Sequence, residues 1–324
     1  MYSFDDLQSI AEKGLMEVEL NREPLALFAP IKYLLSSGGK RLRPVITLMA
    51  CNVFSDNVQR AVEPALALEL FHNFTLIHDD IMDGANMRRG QDTVHKKWNT
   101  NTAILSGDAL MVIAYEMLQK SDQQYISKLL PVFNKVALEV CQGQQLDMNF
   151  EKEAFITAEE YIKMVDLKTA ALLSGCCSIG AICGDASETD LNLMNSFGRN
   201  LGIAFQLQDD LLDSFGDSNV FGKKIGGDIV ANKKTFLLIT ALRLAQGNEL
   251  DLLNGYLNAN DIDPEKKIAG VLSIYRDLKV DFATEQLIEK YFSLSFENLR
   301  KISLPEDRIS VLECLANKMM FRNS

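Results

Sequence analysis

The chain has 324 residues, enough to bury a sizeable core, and 47% of them are hydrophobic while 24% are charged. This balance excludes an intrinsically disordered protein. The net charge of −11 argues against binding to nucleic acid or to an anionic membrane, because the surface as a whole repels polyanions.

The six cysteines contain no C-x-x-C pair and all lie in apolar segments, so we expect reduced core residues rather than disulfides or zinc ligands. The first residues, MYSFDDLQSIAEKG, lack the basic region of a signal peptide. The apolar stretch 170–184 is too short to span a bilayer and predicts a buried helix. We therefore expect a cytoplasmic protein without stable membrane insertion.

Apolar residues recur every three or four positions almost everywhere, which is the spacing of a helix. No stretch alternates with period two for long enough to form a sheet. With no repeat and no low-complexity linker, the sequence predicts one all-α domain spanning residues 1–324, a large bundle of buried helices. The predicted helices, in chain order, cover residues 65–82, 102–120, 125–150, 158–184, 191–216, 233–246 and 279–301, with a final helix from about Pro305.

An acidic cluster closes the first of these helices, in LIHDDIMDGANMRRG at residues 76–90. Asp79 and Asp83 are four residues apart and share a helix face, on which His72 also lies. Two carboxylates at a helix C-terminus are destabilising unless a cation is present. A solvated helix end is the commonest meaning of such a pair, but the segment before this one is typical of a protein core.

A second cluster repeats the arrangement in FQLQDDLLD, where Asp209 and Asp213 share a face at the end of another long apolar helix. Two such clusters could face each other across a cavity in the bundle. Carboxylates without softer ligands suit Mg²⁺, which completes its octahedron with waters and substrate phosphates. The pair therefore predicts a diphosphate bound through Mg²⁺ ions.

Basic residues bracket both clusters in this otherwise acidic chain. Each one alone is typical of an ordinary surface charge, but together they suit the binding of phosphate groups. No P-loop pattern is present, and three histidines are too few for a triad beside a zinc site. We expect His78 to be a hydrogen-bonded structural residue. The bracketing residues are Lys40, Arg41, Arg43, Arg88, Arg89, Lys168, Lys223, Lys224 and Lys233.

Five motifs in order, GGKRLRP, LIHDDIMDGANMRRG, LKTAALL, FQLQDDLLD and GKKIGGD…NKKT, resemble those of the trans-isoprenyl diphosphate synthases. The resemblance runs from about Leu25 to Leu238. It implies an all-α bundle of the isoprenoid synthase type with a central cavity, a homodimer, and Mg²⁺-dependent condensation of isopentenyl diphosphate with an allylic diphosphate.

The same resemblance implies a role for each motif residue. The expected Mg²⁺ ligands are Asp79, Asp83 and Asp209, with Asp210 and Asp213 nearby. The expected contacts to isopentenyl diphosphate are Lys40, Arg43, His72 and Arg89, and those to the allylic or leaving diphosphate are Arg88, Lys233 and one of Lys223 or Lys224. The residues expected to line the reaction centre are Lys168, Thr169 and Gln206.

Three other functions compete with that of a synthase. A class I terpene cyclase usually has a different second motif, and a non-catalytic subunit of a heteromeric synthase typically loses motif aspartates, whereas all six are intact here. A helical scaffold gives no reason for paired acids and bases.

Phe74 and Phe71 lie about 7.5 and 12 Å below Asp79 at ~1.5 Å per residue, and we expect them to form a floor that limits the product to a short chain. The resemblance implies a short product, because an aromatic residue stands at the fifth position before the first aspartate motif. The unexpanded DDIMD with Thr75 at the fourth position resembles geranylgeranyl rather than strictly farnesyl enzymes.

Overall fold

The computed structural model describes residues 1–216, 225–259 and 261–320. It is 78% helical, which confirms the predicted all-α class. Within the described ranges the only strands are Met87–Arg88 and Gln91–Asp92, which pair as a small antiparallel hairpin.

The predicted helices begin and end close to their predicted limits, and the structure adds helices for which no limits were predicted. We number the described helices in chain order. They are α1 (Phe4–Met16), α2 (Leu25–Ser36), α3 (Leu42–Phe54), α4 (Val62–Met82), α5 (Val94–Lys97), α6 (Thr100–Gln119), α7 (Gln123–Phe150), α8 (Ala158–Val165), α9 (Ala171–Cys183), α10 (Glu188–Phe215), α11 (Gly227–Val230), α12 (Phe236–Leu244), α13 (Asn248–Asn258), α14 (Pro264–Asp277), α15 (Val280–Arg300) and α16 (Glu306–Met320). A 3₁₀ turn, Val58–Ala61, precedes α4, and a π-helical segment, Asp166–Ala170, joins α8 to α9.

The chain divides into two compact units. The first comprises Met1–Ala137, Gly175–Asn195 and Ile302–Leu312, and the second comprises the described residues of Leu138–Ser174, Ser196–Lys301 and Glu313–Ser324. A single domain spanning residues 1–324 stays a prediction.

In the first unit, α4 is buried on all sides over part of its length, because every residue from Pro64 to Phe71 is buried. Towards its C-terminus this helix contacts α6, where His78 Nε2 lies 3.2 Å from the carbonyl oxygen of Ile104. The predicted structural role of His78 is therefore supported by a backbone partner.

In the second unit, two glycines allow α7 and α10 to contact the π-helical segment at backbone distance. A Cβ on Gly143 would lie 2.2 Å from the backbone nitrogen of Lys168, and a Cβ on Gly202 would lie 2.5 Å from Cα of Ala170. Arg199 of α10 also binds Asp166, with Nη1 2.7 Å from the carboxylate. A π-helical insertion shifts the side chains that follow it, and such insertions occur frequently at functional sites.

The predicted core burial of the cysteines is confirmed for four of them and wrong for two. Cys51, Cys176, Cys177 and Cys183 are buried, whereas Cys141 and Cys314 are exposed. Burial raises the pKa of the Cys51 and Cys176 thiols to about 12, so both are protonated and inert at neutral pH.

The apolar stretch 170–184 forms part of a longer helical run, Ala158–Cys183, whose length and composition alone would allow it to cross a membrane. The stretch 170–184 is too short by itself, as predicted, but the helical run that contains it is longer. The prediction of a buried helix is supported, since 78% of the apolar window is buried within the folded chain. That burial is what the core helix of a soluble protein shows.

Candidate active site

The first acidic cluster occupies the last turn of α4. Asp83 is the C-cap residue, and its backbone N–H donates to the carbonyl oxygen of Asp79 at 2.8 Å, so the two residues are one turn apart as predicted. Asp83 is exposed and Asp79 is half-buried. Their carboxylates are therefore accessible from the surface of the first unit.

Asp80, between them, has a different role that the sequence did not reveal. It is buried, and its two oxygens accept from Arg88 Nε at 2.8 and 3.0 Å, while Arg88 Nη2 lies 2.8 Å from Oδ1. Arg88 belongs to the hairpin after α4, so this bidentate pair ties the hairpin to the helix. Binding of Arg88 to a diphosphate stays a prediction. The observed pair fixes where its guanidinium lies.

The GGKRLRP loop is anchored by Arg41, one of the basic residues predicted to suit phosphate binding. Arg41 Nη1 lies 2.8 Å from Glu69 Oε1 on α4, and the two side chains are only 8% and 3% exposed. Arg41 also donates to the carbonyl oxygen of Leu35, and Asn73 Nδ2 donates to Glu69 Oε1 at 3.2 Å. Arg41 is thus an internal tether, and it leaves the neighbouring Lys40 exposed on the loop.

Beside this tether lies a group of cationic and neutral nitrogens formed by Arg43, His72 and Arg89. Arg89 donates to the carbonyl oxygen of Gly38, which places its guanidinium against the loop. Burial lowers the pKa of Arg43, and burial together with the neighbouring Arg41 lowers the pKa of Arg89. Among the described residues, the buried Nε of Arg43 has no hydrogen-bond partner.

The pKa of His72 reflects the positive charge of this group. Desolvation, followed by repulsion from Arg43, Arg89 and Arg88, holds its pKa well below the ordinary value, so the imidazole is neutral near pH 7. Cations assembled at close range with an unsatisfied donor are unfavourable unless an anion joins them. The first unit therefore contains a preformed anion-binding group next to an acidic cluster.

Two phenylalanines lie further back on α4, as the predicted product floor requires. Phe71 is buried and Phe74 is half-buried, with ring centroids 5.7 Å apart. The ring of Phe74 also contacts that of His78 at 4.7 Å, and the ring of Phe71 contacts that of Phe133 at 5.7 Å. The rings form one aromatic cluster behind Asp79, a geometry that core packing alone would also produce.

The second acidic cluster, at the end of α10, combines an exposed and a buried aspartate. Asp209 is exposed, whereas Asp210 is 3% exposed and accepts from the hydroxyl of Tyr161 and from Gln206 Nε2. Burial raises the pKa of Asp210 to about 7, although Lys233 and these donors favour its charged form. Asp213 accepts from the backbone N–H of Asp228 at 2.9 Å, and burial raises its pKa too.

The three residues expected at the reaction centre come together in the second unit. Thr169 Oγ1 donates to Gln206 Oε1 at 3.0 Å, and Gln206 continues to Asp210. Lys168 pairs with Asp147, a residue that the sequence reading missed. The available signal was an aspartate in GQQLD near the end of a long helix, the setting of the two recognised clusters. These five residues and Lys233 line one pocket of the second unit.

Lys233 contributes a cation to this pocket, and its side chain is 43% exposed. Its Nζ lies 3.6 Å from Asp228 Oδ1. Partial desolvation lowers the pKa of Lys233, but Asp228, Asp210 and Asp147 outweigh that effect and leave the pKa above its ordinary value, so the amine is charged. The predicted contacts Lys223 and Lys224 lie outside the described residues.

A divalent cation fits these clusters only if its coordination is completed by other ligands. In residues 1–216, 225–259 and 261–320, no group of three or more His, Cys, Asp or Glu side chains could hold a metal by itself. Each cluster instead offers hard carboxylate oxygens, which matches a cation that takes one or two carboxylates and fills its other positions with water and phosphate.

The motifs and the fold are matched by known proteins. A family model described as polyprenyl synthetase matches residues 25–275. The chain belongs to the polyprenyl synthetase family. A relative of this polyprenyl synthetase, the geranylgeranyl diphosphate synthase of Sulfolobus acidocaldarius, is 37% identical over 285 residues, which cover 87% of this chain and 86% of that protein. The protein is accordingly a prenyltransferase, as predicted.

Solved structures agree with this assignment. A crystal structure of a geranylgeranyl pyrophosphate synthase matches this polyprenyl synthetase with a TM-score of 0.94 and 37% identity, covering 100% of both chains. The geranylgeranyl pyrophosphate synthase of Corynebacterium glutamicum, solved with isoprenyl diphosphate and magnesium, matches with a TM-score of 0.87 and 26% identity over 98% of both chains. The predicted family and all-α fold are confirmed.

Proposed function

We propose that this prenyltransferase condenses isopentenyl diphosphate with an allylic diphosphate to make a short all-trans product, geranylgeranyl diphosphate rather than farnesyl diphosphate. The observation that carries the proposal is the anion-binding group of Arg43, His72 and Arg89 beside the acidic cluster of the same unit. A terpene cyclase acts on one diphosphate and has no use for a second anion site. A condensing enzyme requires one.

In this function the anion-binding group holds isopentenyl diphosphate. Arg43 offers its unpartnered Nε, and Arg89 can direct the fork of its guanidinium at phosphate oxygens. Lys40 adds a point charge from the exposed loop. His72, neutral when this site has no anion, becomes a donor of two hydrogen bonds if the diphosphate draws a proton onto its ring.

Asp79, Asp83 and Asp209 would hold Mg²⁺, through which the protein would bind the allylic diphosphate. Bound Mg²⁺ supplies Lewis-acid stabilisation of the charge that grows on the departing diphosphate. Arg88 adds a guanidinium that Asp80 orients, and Lys233 adds a charged amine. Lys223 or Lys224 is the further cation expected here.

The chemistry needs no protein nucleophile. The allylic C–O bond breaks, diphosphate leaves with the bonding electrons, and the double bond of isopentenyl diphosphate attacks the resulting carbocation. A proton is then lost, with the departed diphosphate as the available base. Lys168, Thr169 and Gln206 line this centre, where their fixed dipoles and charge stabilise the changing charge distribution. Apolar walls keep water from the cation.

Product length, assembly and location complete the proposal. The aromatic cluster of Phe71 and Phe74 stops the growing tail after about four isoprene units. We propose a homodimer in the cytoplasm, and the net charge of −11 is in line with a protein that stays away from anionic membranes.

Incubation with labelled isopentenyl diphosphate and each allylic starter, followed by chain-length analysis, tests the proposal. Asp79→Ala and Asp209→Ala, like EDTA treatment, should abolish most turnover while helix content is unchanged, because each removes the means of holding metal. Asp251→Ala, an exposed aspartate on α13, is the matched control and should retain full activity. Undiminished activity in EDTA or in either site variant contradicts the metal mechanism. Consumption of the allylic starter without incorporation of label indicates a cyclase.

A further inference from the structure

No recognised motif lies beyond Leu238, yet α14 carries a buried lysine that contacts the end of α11 and the turn after it. Lys267 is only 5% exposed. Its Nζ donates to the carbonyl oxygen of Val230 at 3.1 Å and to Asn232 Oδ1 at 2.7 Å. Burying an ammonium group is costly unless it is hydrogen-bonded, so these two acceptors define where the side chain must end.

The acceptors belong to the last residue of α11, Val230, and to the turn that follows it. Asn232 has a φ of 54°, in the left-handed region, which asparagine adopts more readily than most residues because its short polar side chain can hydrogen-bond locally. Its side chain is held at both ends, since Oδ1 accepts from Lys267 and Nδ2 donates to the carbonyl oxygen of Leu257 at 3.0 Å. Lys267 therefore fixes the side chain of the residue at the left-handed position of the turn.

The other side of the turn is fastened to the second acidic cluster. The backbone N–H of Lys233 donates to the carbonyl oxygen of Asp228 at 2.9 Å, and that of Asp228 donates to Asp213 Oδ2 at 2.9 Å. Lys233 is the residue that follows Asn232 along the chain. The direction in which its amine enters the pocket is thus set by Asp228 on one side and by the Lys267 tether on the other.

We propose that Lys267 is a positioning residue, which fixes the Val230–Asn232 turn so that the amine of Lys233 meets the departing diphosphate. This inference rests on the proposed function for the identity of the ligand. Lys267 itself does not line the pocket that contains Lys233 and Asp210. It acts through the turn, in the way that a group behind a catalytic residue holds that residue in its productive geometry.

Titration calorimetry of inorganic pyrophosphate in the presence of Mg²⁺ tests the inference without relying on turnover. Lys267→Met removes the ammonium group and keeps the length of the stem. It should weaken pyrophosphate binding about tenfold, and so should Lys233→Ala. In the double variant the losses should not multiply, because Lys267 acts only through Lys233. Losses that multiply, or unchanged binding in Lys267→Met, overturn the proposal.

Two further variants separate positioning from general stability. Lys266→Met changes the exposed neighbour on the same helix and should leave binding and unfolding temperature as in the wild type. Asn232→Gly removes the tethered side chain while glycine tolerates the left-handed φ, so the fold is kept and pyrophosphate binding should still fall about tenfold. If Lys267→Met fails to fold, Asn232→Gly decides the matter, and wild-type affinity in it refutes the tether.

The same proteins distinguish this inference from the proposed function. In assays of condensation, Lys267→Met should lower kcat and leave the KM for isopentenyl diphosphate unchanged, since that substrate is assigned to the first unit. A wild type that binds Mg²⁺ and pyrophosphate but condenses nothing refutes the proposed function and leaves the tether standing. A wild type that binds no pyrophosphate with Mg²⁺ overturns the role of Lys267.

Discussion

Replacing Glu69 by alanine should destabilise the protein severely, because it leaves the Arg41 guanidinium buried without a counter-charge. The two side chains are 8% and 3% exposed, their charged atoms are 2.8 Å apart, and Arg41 can reach only the Leu35 carbonyl once Glu69 is gone. Breaking a buried ion pair by removing one partner costs about 3–5 kcal/mol. That loss is a large fraction of the roughly 5–15 kcal/mol by which folded proteins are stable.

Urea denaturation followed by circular dichroism measures this loss. The Arg41→Met/Glu69→Leu double variant should recover most of it, since an apolar pair of similar size leaves no charge unpaired. The surface pair Arg300–Glu313, whose side chains are 68% and 23% exposed, is the comparison, and Glu313→Ala should cost no more than about 1 kcal/mol. The reasoning fails if Glu69→Ala costs as little as Glu313→Ala, or if the double variant is as unstable as the single one.

Two other predictions concern α4. The folded-state pKa of His72 is lower than its value of 6.5 in a model compound, so the unfolded chain protonates first and stability is lost as the pH falls below about 6.5. His72→Gln should flatten this decline in thermal unfolding measured from pH 7 to pH 5, and parallel curves for the two proteins would contradict the assignment. Phe74→Ala should open the floor behind Asp79 and lengthen the product by at least one isoprene unit in chain-length analysis. An unchanged distribution, or wild-type products of eight or more units, would show that the ring is only core packing.

Hydrophobic periodicity predicted the helices and which residues share a face, because both depend on the spacing of residues along one element. It placed Asp79 and Asp83 one turn apart at the end of α4, and the structure agrees. The same reading could not tell that Asp80, on another face, is buried against Arg88. Apolar surroundings alone also misassigned Cys141, which lies in an apolar segment but on an exposed face.

The sequence could not predict which side chains pair between helices, and the reason is physical. Arg41 and Glu69 are 28 residues apart, and nothing in either segment specifies that their side chains meet. Lys168 was predicted to be one of the basic residues around the acidic clusters, yet its partner Asp147 is supplied by another helix. The π-helical segment is equally hidden, since its hydrogen-bond pattern depends on how neighbouring helices pack against it rather than on its own propensities.

The glycines that let α7 and α10 touch the π-helical segment also restrict how this chain can diverge. A methyl group at Gly143 would collide with the backbone nitrogen of Lys168, and one at Gly202 would collide with Cα of Ala170. Backbone atoms cannot swing aside as the end of a long side chain can, so even alanine requires a helix to move. A substitution at a surface position of the same helices meets no such obstacle. Positions 143 and 202 can change only if the backbone at Lys168 and Ala170 moves as well, so a substitution there would also displace the residues that line the pocket of the second unit.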